Sequence, residues 1–201
     1  MSGIDYEGLA RTIAAVPYKG NRRVIAIAGA PASGKSTIAE ELQPLIADAC
    51  MVPMDGYHLD NDVLDARGLR ARKGSPQTFD VAGFVALVAS LKTQDDIAYP
   101  LFNRELDQAV PNAARIGSEV TTVLVEGNYL LLKDGGWDAL QKYWDLSIYL
   151  DVPLDELERR LLDRWTSLGM SQTEAEAKTY GNDLLNAKTV AEESFKADQV
   201  I

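Results

Sequence analysis

The chain has 201 residues, 46% hydrophobic and 25% charged, which fits one globular domain and excludes a fibrous or disordered class. Its 20 Lys and Arg stand against 30 Asp and Glu, a formal net charge of −10, which argues against broad nucleic-acid or anionic-membrane binding and makes small molecules the expected partners. A single cysteine, Cys50, and a single histidine, His58, exclude an internal disulfide and most His/Cys metal centres, so a required metal is expected on oxygen ligands, which suits Mg²⁺.

In chain order, Ile4, Leu9, Ile13 and Val16 mark an amphipathic stretch that could cover a sheet edge or a neighbouring subunit, which leaves a homodimer open. Residues 24–28 form a compact, β-branched run expected for a strand buried on both faces. Ile38, Leu42 and Leu45 recur at helical spacing over 36–46, and 50–54 give a second apolar run closed by Asp55. Asp80 is placed to cap a helix that runs through Leu91. Residues 120–125 and 146–152 read as two more buried strands, Pro153 opens a helix over 154–168, Gly169 ends it, and Ser171 opens another. The longest apolar stretches are far short of a bilayer span and no signal pattern opens the chain, so a cytoplasmic protein is expected.

Alternating strands and helices with short crossovers predict a doubly wound, mainly parallel sheet, covered on both sides as a three-layer αβα sandwich. One domain over 1–201 is expected, with a helical lid at about 159–175 and ligands at the carboxyl edge of the strands.

Gly29-Ala30-Pro31-Ala32-Ser33-Gly34-Lys35-Ser36, followed by Thr37, satisfies the eight-position Walker A pattern of P-loop NTPases between a predicted strand and a predicted helix. Such a loop wraps backbone N–H groups around phosphate oxygens, so Gly29 and Gly34 stand where a β-carbon would obstruct the curve or force a poor dihedral. Lys35 is expected at the β- and γ-phosphates of ATP, and Ser36 supplies a hydroxyl to Mg²⁺.

Asp55 and Glu126 each close a strand run and so reach the same edge. We read Asp55 as the general base for an acceptor hydroxyl and Glu126 as the carboxylate on the metal side, roles that could be exchanged; helix capping is the plainer use of either. Arg67, Arg70, Arg72 and Lys73 reverse the local sign of an acidic chain, with Arg72 and Lys73 the preferred anion-binding pair. Arg160 and Arg164 share a helix face, Arg160 for the nucleotide and Arg164 as a lid arginine for charge developing in transfer, against ordinary pairing with Asp155, Glu156 or Asp163. Tyr57 and His58 follow Asp55 and are read as substrate contacts, whereas Cys50, Trp137, Trp144 and Trp165 are read as packing residues.

These features predict transfer of the ATP γ-phosphoryl group to a small hydroxyl compound, with a sugar or polyol ahead of a nucleoside or a pantothenate-like alcohol. The alternative, a nucleotide-hydrolysing switch acting on a partner protein, lacks an Asn-Lys-x-Asp segment for guanine.

Taken together, residues 29–37, 54–61, 72–80, 102–104 and 125–131 resemble the phosphoribulokinase/uridine kinase family of P-loop kinases, in a bacterial branch described as fructokinase-like or pantothenate-kinase-like. The resemblance spans almost the whole chain. It implies a base at Asp55, a glutamate near Mg²⁺ at Glu126, a lid arginine near the phosphates, and substrate contacts at Arg104 and Asn128. Trp165 stands where this branch carries a histidine, and Asn103 where it often has an aspartate, departures that bear on specificity rather than on transfer.

Overall fold

In the computed structural model, which describes residues 3–201, the run at 24–28 lies in β1 (Arg23–Gly29) and is buried from end to end. Successive side chains of a strand point to opposite faces. Val24, Ala26 and Ala28 therefore join one hydrophobic core with Phe84, Leu87 and Leu91 of α4 (Val81–Leu91) and with Trp137, while Ile25 and Ile27 join another. The second core holds Leu9 and Ile13 of α1 (Tyr6–Ala15) and Ile38 and Leu42 of α2 (Lys35–Leu42). The N-terminal helix thus packs on a face of the sheet beside α2. Asp80 caps α4 as expected, its Oδ1 accepting from Gly83 N at 3.0 Å.

Five strands form the main sheet in the order β2 (Ala49–Pro53), β5 (Thr122–Gly127), β1, β6 (Leu146–Leu150) and β7 (Gln199–Val200), every pair parallel. Pro53 and Ile27 are both in register with Glu126, so the segments that leave β1, β2 and β5 emerge at one edge within a few residues of each other. Beyond the opposite edge lies the buried Arg22, whose guanidinium donates to the carbonyl oxygens of Leu91, Gln94, Asp95, Gly117 and Val120.

Several elements differ from expectation. The helix expected over 36–46 stops at Leu42, because Pro44 lies in the next turn, which closes as a 3₁₀ segment over Gln43–Leu45. Residues 97–116 form an antiparallel hairpin, β3 (Ile97–Asn103) and β4 (Gln108–Ile116), separate from the main sheet and with a register shift at Pro100. Short helix α3 (Asn61–Ala66) follows the Asp55 segment. The region expected as a lid is made of α5 (Leu154–Ser167), a left-handed exit at Gly169, and α6 (Gln172–Lys178), capped reciprocally by Ser171 and Glu174. A single π turn, Thr179–Asp183, then leads into α7 (Leu184–Glu193). Among the described residues no helix is long and apolar enough to cross a membrane.

Candidate active site

The loop after β1 turns through two residues in the left-handed region, Ala32 at φ 63° and Gly34 at φ 101°. Gly34 is the N-cap of α2, so the free N–H groups of the first turn and the positive end of the helix dipole face the loop's concavity. Gly29 serves a different need. A β-carbon there would lie 2.8 Å from Ser33 Oγ and 3.1 Å from Leu150 Cβ, so its missing side chain lets the loop close against β6. Lys35 Nζ donates to Ala30 O at 2.8 Å and lies 3.5 Å from Ser33 Oγ. Burial pulls this ammonium down to about 8, while Glu126 and Asp55 pull it back up and Arg164 adds to the fall.

Pro31, Ala32, Gly34, Lys35, Ser36 and Thr37 line a cavity of about 220 Å³ that Glu126, Asn128 and Arg164 also reach. Burial raises the Glu126 carboxyl above the usual carboxylate range, opposed by the Lys35 ammonium and by a hydrogen bond from Ser36. Beside it opens a second cavity of about 420 Å³, walled by His58, Lys73, Phe102, Trp165, Lys178 and Asp183. Asp55, Arg104, Asn128, Arg164 and Pro31 belong to both, so the Asp55 carboxylate stands on the seam between a phosphate pocket and an adjoining cleft. Arg104, beyond the end of β3, reaches Asp55 Oδ2 at 3.3 Å.

His58 donates through Nδ1 to Asp55 O at 2.8 Å, and its ring packs, tilted, between Phe79 at 4.1 Å and Phe102 at 4.7 Å. Burial holds its pKa below the ordinary histidine value. Lys73 donates to Asn61 Oδ1 at 2.8 Å and pairs with Asp107 Oδ1 at 2.8 Å. Burial works upward on Asp107, but hydrogen bonds from Lys73 and Asn61 leave its carboxyl below the ordinary value.

Three residues stand elsewhere than the sequence reading put them. Tyr57 turns inward, its ring edge-on to Phe84 at 5.2 Å, and does not line the cleft. Arg72 parts from Lys73: it donates to Gly181 O at 3.0 Å and Asn186 Oδ1 at 3.3 Å and borders a separate cavity beside Trp137. Both follow from the tight 3₁₀ turns that carry them, in which neighbouring side chains point in different directions. Trp165, read as packing, is a cleft wall instead. Arg160 grips the loop's backbone, its Nη1 donating to Ser33 O at 3.1 Å and Ala32 O at 3.3 Å, with Nε on Glu156 at 2.7 Å. Asp107, Lys178 and Asp183 were missed. Asp107 lies in the unread hairpin and the other two flank the π turn, which no periodicity announces.

The family described as AAA domain matches residues 25–181. YggC of Escherichia coli strain K12 is 32% identical over 186 residues, covering 90% of this chain and 77% of its own. A candidate uridine kinase of Schizosaccharomyces pombe, C227.14, is 30% identical over 194 residues, covering 90% of this chain and 83% of its own. The chain is a P-loop kinase of the phosphoribulokinase/uridine kinase family. A crystal structure of a candidate fructose transport system kinase from Silicibacter sp. TM1040 superposes on this kinase with a TM-score of 0.94 at 41% identity, over 99% of this chain and 100% of that one. The kinase's Walker loop, Asp55, Glu126 and helices α5 and α6 fall within the matched span, and α7 lies beyond it.

Proposed function

We propose that this kinase transfers the γ-phosphoryl group of ATP to a hydroxyl of a small metabolite lying in the cleft beside Asp55. The carrying observation is the place of Asp55, the carboxylate shared by the phosphate cavity and the cleft. The acceptor oxygen forms a bond to the γ-phosphorus, the bond from that phosphorus to the β–γ bridging oxygen breaks, ADP leaves, and the hydroxyl proton passes to Asp55. Lys35, the α2 N-terminus and Arg164 face the phosphates and spread the charge.

The donors present suit a magnesium ion. Ser36 offers a hydroxyl and Glu126 a carboxylate, and among the described residues no group of three or more His, Cys, Asp or Glu could hold a metal ion. Mg²⁺ characteristically takes one or two protein oxygens and completes its shell with phosphates and water. When bound it would neutralise phosphate charge, with Ser36 and Glu126 as its protein ligands.

A sugar- or polyol-like acceptor, plain or carrying a charged group, is favoured over a nucleoside. The His58 ring packs against both Phe79 and Phe102 at tilted angles and occupies the space between them, so they do not leave a slot between aromatic faces for a base. The test is ADP release from Mg²⁺-ATP with a panel of sugars, polyols, nucleosides and pantothenate-like alcohols. One acceptor should raise release well above background and yield a phosphorylated product, and Asp55→Asn should cut that gain by about 10²- to 10⁴-fold. Hydrolysis indifferent to every acceptor and to this substitution would favour a partner-driven NTPase instead.

A further inference from the structure

The cleft holds cations of two kinds. Lys73 and Arg70 are tied to Asp107, with Arg70 also on Asp65, and Arg104 is tied to Asp55. Arg164 and Lys178 have no ion-pair partner among the described residues. Both are held against one indole: Lys178 Nζ lies 4.1 Å from the Trp165 ring centroid and the Arg164 guanidinium carbon 5.2 Å from it. Trp165 is fixed in turn by its Nε1, which donates to the buried Asp183 at 2.7 Å. A cation over an indole face keeps its hydrogen-bonding protons free for another acceptor.

The two cations divide between the cavities. Arg164 borders both, whereas Lys178 borders only the cleft. Lys178 is therefore placed for the acceptor rather than for the nucleotide phosphates. Asp183 accepts the indole N–H and feels the charge of Arg164 and Lys178, but neither cation reaches it within ion-pair distance. On a chain of net charge −10, an unpaired ammonium steadied at the wall of a small cleft is a feature that an uncharged acceptor would not use.

Resting on the kinase reading above, we propose that the acceptor is a hydroxyl compound bearing an anionic group, a carboxylate or a phosphate, and that Lys178 on its Trp165 platform is the residue that selects it. A phosphorylated sugar or a hydroxy acid fits this description; a plain sugar, polyol or nucleoside does not.

The test uses the full chain, Mg²⁺-ATP and matched acceptors that differ in one charged group: ribose and ribose 5-phosphate, glycerol and glycerate, panthenol and pantothenate. The unsubstituted protein should prefer the anionic member of at least one pair. Lys178→Met should raise KM for that acceptor about ten- to a hundredfold, the worth of one charge-assisted hydrogen bond, with a smaller change in kcat, and Lys178→Arg should restore most of the loss. Lys178 is exposed at the end of α6, so these variants should fold. Turnover of neutral members equal to or better than their anionic partners, or a KM indifferent to Lys178→Met, overturns the proposal and leaves the kinase reading standing. Failure of every acceptor to exceed background hydrolysis overturns both.

Discussion

Nucleotide affinity should carry an alkaline limb set by Lys35. Burial has brought its ammonium down to about 8. The charged fraction therefore drops from about 0.9 at pH 7 to about 0.1 at pH 9, a roughly tenfold loss of the form that binds phosphate, whereas an ordinary lysine would stay charged throughout. Calorimetric titration of the protein with ADP between about pH 7 and 9 should show Kd rising by that factor with a midpoint near 8. The neighbours give the effect a signature. Glu126→Gln removes the largest charge holding the ammonium up, so the midpoint should move to lower pH; Arg164→Met removes a charge pushing it down, so the midpoint should move to higher pH. The ligand-free fold should respond with the opposite sign: between about 8 and 10.5 the unfolded chain keeps the Lys35 proton and the folded one does not, so this group adds stability as pH rises through that window. A Kd flat to about pH 9, or a midpoint unmoved by Glu126→Gln, would refute the assignment of Lys35 as a buried, strained ammonium.

Gly56 tests how the hairpin positions the base. A β-carbon there would meet Pro100 O at 2.2 Å and Pro100 C at 2.7 Å, so Gly56→Ala must push the Asp55 turn or the hairpin aside. Acceptor-dependent kcat should fall at least about tenfold, the scale on which small misplacements of a catalytic group act, while Kd for ADP stays near its original value; an unchanged kcat would sink the idea. Arg22→Met leaves five carbonyl groups, one buried and four part-buried, without their donor and should lower unfolding free energy by about 3 kcal/mol in a urea titration, a loss under about 1 kcal/mol being the contrary result.

The part of the site made by regular elements was readable from the residues. A buried β-branched run, a glycine-bearing loop and a helical period leave one arrangement for residues 23–42, and parallel pairing then carries Asp55 and Glu126 to the same edge. The acceptor side was not readable in the same way. Pro100 and Pro111 fall at the register shift of the hairpin that brings Arg104 and Asp107 to the cleft, and its turn carries no Asn-Gly or Asp-Gly signal. Trp165 looks like an ordinary apolar residue on α5, and only the π turn after α6 brings Asp183 under its indole nitrogen. Tyr57 and Arg72 were misplaced for the same reason, since no period fixes direction in a turn of three or four residues. β7 is two residues long and escapes any periodic test.

Helix α5 touches the loop at Arg160 and the cleft at Arg164, and these contacts are one helical turn, about 6 Å, apart on a rigid rod. A rod pinned at one point and loaded at the next behaves as a lever. An adjustment of the Ala32 and Ser33 carbonyls would bear directly on the helix that carries Arg164 and Trp165, so the loop and the cleft share a rigid element as well as a carboxylate.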